Sequence, residues 1–146
     1  MAATPHALTL GAVPGDQAEL RLEIDPGNAT ELVVDLLATP DGNERSTLRL
    51  WPRVGRAELD LSRASGTDDV GRTRFEGRMT PLAAGETLTL RAFVDHSVVD
   101  VFLGETEAFS FRAFPTAANA THVRLSAHAG EARLLGGDVW AMHASP

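Results

Sequence analysis

The chain has 146 residues, of which 43% are hydrophobic and 23% are charged. This balance predicts one globular domain over residues 1–146 rather than a disordered or multi-domain chain. The formal net charge of −7 argues against a nucleic-acid partner, and the lack of a long apolar run leads us to expect neither a membrane partner nor a signal peptide.

The lack of cysteine and the spacing of the histidines argue against several kinds of site. The chain has no cysteine, so it can form no disulfide, no thiolate nucleophile and no cysteine-ligated zinc site. Its five histidines show none of the paired spacings that place two imidazoles on one side of a strand or helix. We therefore expect no metal and no other cofactor.

Short alternations of apolar and polar residues recur along the chain, separated by clusters of turn residues. In the first clear case Leu20, Leu22 and Ile24 lie on one side of a predicted strand, and residues 25–28 form a turn. The polar stretch Arg63–Thr73 is expected to be an exposed loop. The predicted strands lie at 18–24, 31–38, 47–51, 57–61, 73–79, 88–94, 99–103, 109–114, 122–129 and 131–142.

This pattern predicts an all-β fold with about eleven short strands. One open antiparallel sheet would leave an apolar face in water, so the strands should form a lectin-like antiparallel β-sandwich of two sheets. A closed barrel is the alternative, because strand number alone does not separate the two architectures.

The strongest apolar block predicts a core hairpin over Leu88–Leu103. The side of this hairpin away from the core carries Phe93 and Phe102, with the carboxylate of Asp100 between them in sequence. A charge in apolar company needs a partner, and Arg112 in the next predicted strand can bind a carboxylate through two nitrogens.

The same block resembles a known family. Residues Leu90–Phe102 read LRAFVDHSVVDVF and residues 111–115 read FRAFP, in the order and spacing of the C-terminal β-sandwich of glycoside hydrolase family 32. That family contains invertases, levanases and inulinases. Asp100 stands where the family usually has glutamate, and Ser110 stands where it often has threonine, so both departures keep the type of chemistry.

The resemblance is strong over residues 88–115 and collinear over residues 18–62. It implies a two-sheet sandwich, which in family members follows a five-bladed catalytic propeller. A propeller of five four-stranded blades needs more residues than this chain has. We therefore expect no catalytic residues and no enzyme activity. The Asp-Pro step in Asp25–Asn28 is similar to part of the family's nucleophile segment, but its residue order differs and we interpret it as a turn.

We therefore predict a non-catalytic accessory module of a fructan- or sucrose-hydrolysing glycoside hydrolase. Its partner would be the catalytic propeller or a second copy in a homo-oligomer. The alternative is a free-standing carbohydrate-binding module that holds fructans such as levan through Asp95, Asp100, Arg112 and Trp51. Purely structural roles stay open for these residues: an Asp100–Arg112 ion pair that fixes strand register, turn bonds at Asp95, and packing of Trp51 on a strand edge. The resemblance favours an extracellular setting.

Overall fold

Every regular element that the computed structural model describes is a β-strand. The described residues are 8–12, 17–39, 41, 43–62, 74–95, 98–104, 107–112 and 122–141. Within these ranges there is no helix of a length and apolarity that could cross a bilayer. The strands are β1 (Leu8–Ala12), β2 (Gln17–Asp25), β3 (Glu31–Ala38), β4 (Ser46–Trp51), β5 (Arg56–Asp60), β6 (Arg74–Arg78), β7 (Leu88–Asp95), β8 (Val98–Leu103), β9 (Glu107–Arg112), β10 (His122–His128) and β11 (Arg133–Ala141).

The strands form two antiparallel sheets. The six-stranded sheet has the order β1-β10-β3-β4-β5-β6, and the five-stranded sheet has the order β11-β2-β7-β8-β9. The predicted two-sheet sandwich is therefore confirmed, and the closed-barrel alternative is not found. The hairpins β3-β4-β5-β6 and β7-β8-β9 join sequence neighbours, whereas β10 and β11 each return to pair with an early strand.

The alternating pattern of the sequence explains the core between the sheets. Leu22, Leu90 and Val101 of the five-stranded sheet are each at most 1% exposed, as are Leu48 and Leu50 of the six-stranded sheet. Each such side chain stabilises the fold by roughly 1.5–3 kcal/mol through removal from water. The polar residues between them in sequence point outward, because successive side chains of a strand alternate between faces.

Most strand boundaries agree with the predicted ones to within one or two residues at each end. β1 is the exception, because no separate segment was predicted at Leu8–Ala12. The predicted loop Arg63–Thr73 lies outside the described residues.

Arg53 ties two connections together at one end of the sandwich. Its Nη2 donates to the carbonyl oxygen of Gly27 at 2.6 Å, in the β2–β3 turn. Its Nη1 donates to the carbonyl oxygens of Leu82 at 3.0 Å and Ala83 at 2.5 Å, in the β6–β7 connection. The predicted turn at 25–28 is confirmed, since Gly27 has φ 55° and donates its N–H to Asp25 Oδ1 at 3.0 Å.

The edge strands of the two sheets approach each other at Gly77. A Cβ added to Gly77 would lie 2.5 Å from Cε1 of Phe109 in β9, so a larger residue would force the ring or the strand to move. Thr80 Oγ1 donates to Glu107 Oε1 at 2.8 Å just beyond this contact. A ring contact and a hydrogen bond therefore join β6 and β9 along this side of the sandwich.

Candidate functional site

Each sheet has an outer face, and the two outer faces differ in chemistry. We call the outer face of the five-stranded sheet the aromatic face; it is centred on Phe93 of β7 and Phe102 of β8. We call the outer face of the six-stranded sheet the charged face; it is centred on Asp35, Thr47 and Asp60, which lie opposite one another on β3, β4 and β5.

The two rings of the aromatic face form an edge-to-face pair. The centroids of Phe93 and Phe102 are 5.7 Å apart and the rings are nearly perpendicular, at 86°. The guanidinium of Arg91 lies 5.2 Å from the centroid of Phe93, and its Nη2 also lies 3.3 Å from Glu19 Oε1 on β2. Phe102 remains 37% exposed. The face thus combines an accessible aromatic ring with a cation that already has two partners.

Asp100 has a hydrogen-bond partner that sequence reasoning missed. Ser110 lies directly opposite it on β9, and the serine hydroxyl donates to Asp100 Oδ1. Arg112, the predicted partner, lies opposite Val98 in the strand register. The Arg112 side chain lies outside the described part of the structure, so its pairing with Asp100 stays a prediction.

The four residues predicted to bind carbohydrate do not share one face. Asp95 and Asp100 lie on the aromatic face, and the backbone of Arg112 is in the adjoining strand. Trp51 lies at the end of β4, on the charged face, where the Arg56 guanidinium stands 4.7 Å from its ring centroid. Because the core separates the two faces, Trp51 cannot join the other three residues in one site.

The charged face buries polar groups at its centre. Asp35 is 7% exposed, Thr47 is 4% exposed and Asp60 is 7% exposed. The Thr47 hydroxyl donates to Asp35 Oδ1 at 2.7 Å, and Arg45 Nε lies 4.0 Å from the same oxygen. Buried carboxylates need such donors, so this row contributes to fold stability rather than presenting an open binding surface.

Another pair of hydroxyl and carboxylate lies in the connection between β3 and β4. Thr39 Oγ1 donates to Asp41 Oδ1 at 2.6 Å, and the N–H of Asn43 donates to the same oxygen at 3.0 Å. Both bonds favour the ionised form, with the threonine contributing more, so they hold the pKa of Asp41 below its ordinary value.

A shallow groove of about 510 Å³ runs along the β5–β6 edge of the charged face. Arg56, Arg78 and Glu76 line it, and Arg56 Nη2 bonds to Glu76 Oε1 at 2.9 Å. Glu76 is the one acidic side chain among its lining residues. No group of three His, Cys, Asp or Glu side chains in the described ranges forms a candidate metal site.

These observations define a class of protein: an all-β module in which two antiparallel sheets pack around a shared core. Residues 2–141 match the family described as Glycosyl hydrolases family 32 C terminal. The chain belongs to this family, as its sequence motif predicts.

Known proteins similar to the chain are mostly much longer. It is 34% identical over 91 residues to the vacuolar acid beta-fructofuranosidase 4 of Arabidopsis thaliana, which is 57% of this chain and 14% of that protein. The exo-inulinase of Aspergillus awamori has a TM-score of 0.70 at 21% identity, over 98% of this chain and 29% of the other. Galectin-11 of sheep has a TM-score of 0.64 at 12% identity, over 96% of this chain and 100% of the galectin. The structural likenesses show a shared fold.

Proposed function

We propose that the chain is a non-catalytic accessory module that packs against the catalytic propeller of a fructan- or sucrose-hydrolysing enzyme. The match of residues 2–141 to the family's C-terminal domain carries this proposal, because in the family this sandwich accompanies the catalytic part. The exo-inulinase chain supports it: the sandwich accounts for 29% of that chain, so most of the enzyme lies outside the fold described above.

The placement of three described carboxylates supports a non-catalytic role. Glycoside hydrolysis by the common mechanisms needs two carboxyl groups facing each other across a substrate cleft. Asp35 and Asp60 are buried on either side of Thr47, and the open groove is lined by Glu76 alone among acidic side chains. Neither arrangement offers a sugar ring an acid on one side and a nucleophile on the other.

The experiment is a chimera in which the 146-residue chain replaces the sandwich of the Aspergillus awamori exo-inulinase. Calorimetry measures the unfolding midpoint of the enzyme part, and the same samples are assayed for inulin and sucrose hydrolysis. We expect the chain alone to show no turnover and the chimera to unfold at a higher midpoint than the enzyme part without a sandwich.

A matched control is the same chimera built with sheep galectin-11, whose fold is similar but whose sequence is only 12% identical to this chain. The galectin should give no rise in midpoint, because the fold is retained while the contact surface differs. Turnover by the 146-residue chain alone, or equal midpoints for the two chimeras, would contradict the proposed function.

Carbohydrate binding is a second candidate, favoured by the placement of Asp95 and Asp100 with the Arg112 strand on one face. Isothermal titration with levan, inulin oligosaccharides and fructose tests it. Binding at this face predicts that Asp100→Asn raises the dissociation constant for the bound sugar about tenfold. Glu76→Gln on the other sheet should leave that constant unchanged. The absence of heat with all three ligands would exclude this candidate for fructans.

A further inference from the structure

The groove along the β5–β6 edge of the charged face places two cations beside each other. Arg56 and Arg78 lie directly opposite one another on β5 and β6, and both line the groove. Like charges at opposite positions of two antiparallel strands destabilise a sheet, because their side chains start only about 5 Å apart. An anion bound between the two arginines would relieve this repulsion.

Arg56 is held in place by groups on two sides. Its guanidinium stands 4.7 Å from the ring centroid of Trp51, and its Nη2 lies 2.9 Å from Glu76 Oε1 and 3.8 Å from Glu58 Oε2. An arginine that is already ordered loses less side-chain entropy when it binds a ligand than a freely moving one does. Arg56 therefore forms a fixed wall of the groove.

Arg78 supplies a positive charge that is not matched. It is exposed, and no other described residue makes an ion pair or a hydrogen bond with it. Glu76 is bonded to Arg56 instead. Because the lining contains two arginines and one glutamate, it has an excess of one positive charge.

Backbone contacts fix the shape of the groove. Gly55, in the β4–β5 turn with φ 73°, accepts the N–H of Met79 at 3.0 Å. A Cβ added to Gly55 would lie 2.6 Å from the carbonyl oxygen of Met79, so the turn packs tightly against the end of β6. The volume of about 510 Å³ falls in the range of roughly 300–1,000 Å³ that is typical of small-molecule sites.

We propose that this groove binds a small organic carboxylate, such as a sugar acid. The planar guanidinium of Arg78 can donate two parallel N–H bonds to the two oxygens of a carboxylate. One carboxylate matches the excess of one positive charge, whereas a phosphate dianion would leave negative charge beside Glu76. The exposed side chains of Val54 and Pro81 offer apolar contact to the carbon part of the ligand. This site does not depend on the proposed accessory role.

The test is an NMR titration of the ¹⁵N-labelled 146-residue chain with sodium D-glucuronate. Glucose, which lacks the carboxylate, is the matched ligand. The amide signals of Gly55 and Gly77 report on the groove, and the signal of Gly136 in β11 reports on the other sheet. We expect saturable shifts of Gly55 and Gly77 with glucuronate, no shift of Gly136, and none of the three with glucose.

Three variants locate the binding. Arg78→Gln should raise the dissociation constant for glucuronate at least about tenfold, because it removes the fork that holds the carboxylate. Arg133→Gln is the matched control: Arg133 is also exposed and without a described partner, but it lies on β11. It changes the net charge equally and should leave the constant unchanged. Glu76→Gln should lower the constant, because it releases Arg56 for the ligand.

Several results would overturn the proposal. These are no saturable shift with glucuronate, an equal shift with glucose, and the same loss of binding in Arg133→Gln as in Arg78→Gln. Tighter binding of inorganic phosphate than of glucuronate would assign the groove to a dianion instead. Weaker binding in Glu76→Gln would show that Arg56 takes no part. The dispersion of the amide spectrum shows whether each variant folds, and tighter binding in Glu76→Gln cannot arise from unfolding.

Discussion

Two pairs of hydroxyl and carboxylate, one on each outer face, show how the same chemistry serves different ends. Thr47 bonds to Asp35 across β3 and β4, and Ser110 bonds to Asp100 across β8 and β9. In both pairs the two residues lie directly opposite each other. The first pair is buried, whereas the second is accessible to solvent beside an exposed ring. The charged face thus uses its pair for stability, and the aromatic face uses its pair to supply a donor to a carboxylate that remains accessible.

The largest expected effect on stability comes from comparing two neighbouring residues of β8, one in the core and one on the aromatic face. Leu103 of β8 is 1% exposed in the core, and its neighbour Phe102 is 37% exposed on the aromatic face. Leu103→Ala should lower the free energy of unfolding by about 2–5 kcal/mol, since it leaves a cavity. Phe102→Ala should cost only about 1 kcal/mol, chiefly through the lost contact with Phe93. Urea unfolding measures both; equal losses would show that Phe102 supports the fold as much as the core leucine does.

A smaller effect separates the two hydroxyl pairs. Thr47→Val keeps the shape of the side chain but leaves the buried Asp35 carboxylate without its hydroxyl donor, so the free energy of unfolding should fall by about 1.5–3 kcal/mol. Ser110→Ala makes the matching change on the other face and should cost less than about 1 kcal/mol, because water can replace the lost donor. Chemical unfolding of the two variants in the same buffer checks the difference. A larger loss for Ser110→Ala would reverse the roles given to the two faces.

The smallest effect concerns Asp41, a fully exposed carboxylate that is held by Thr39 and by the N–H of Asn43. Because its pKa is lowered in the folded chain, ionised Asp41 stabilises the fold above the ordinary carboxyl pKa. That contribution is lost as the pH falls through the lowered pKa. An NMR titration should show the lowered value and its return toward the ordinary one in Thr39→Val. Thr30→Val is the control, because the Thr30 hydroxyl bonds to the carbonyl of Ala129 instead.

The sequence predicted every strand except β1, because the others have a local signal. Leu88–Asp95 alternates buried and more exposed residues, Glu31–Ala38 is an apolar run interrupted by Asp35, and both strands occur where expected. Strand β1 has the short sequence LTLGA and pairs with β10 far along the chain. Its place in the sheet depends on that distant partner, which local alternation does not reveal.

The candidate site was predicted less completely, because contacts between side chains depend on register. Asp100 was recognised as a carboxylate that needs a partner, but Arg112 was chosen for its chemistry rather than its position. The short β8–β9 connection pairs Leu103 with Glu107, and counting back along the two strands places Ser110 opposite Asp100. Trp51 was grouped with these residues because sequence does not show which sheet β4 joins. Strand β4 belongs to the six-stranded sheet because it pairs with β3 and β5.

The bonds of Arg53 have a consequence for how the molecule can be lengthened. The guanidinium reaches carbonyls in the β2–β3 turn and the β6–β7 connection, so inserted residues at Gly27 or at Leu82–Ala83 would pull those oxygens out of its reach. A lysine could not replace Arg53, because its ammonium group lacks the planar fork that reaches three fixed acceptors. Tags, grafted peptides and new chain termini should therefore be poorly tolerated at this end of the sandwich.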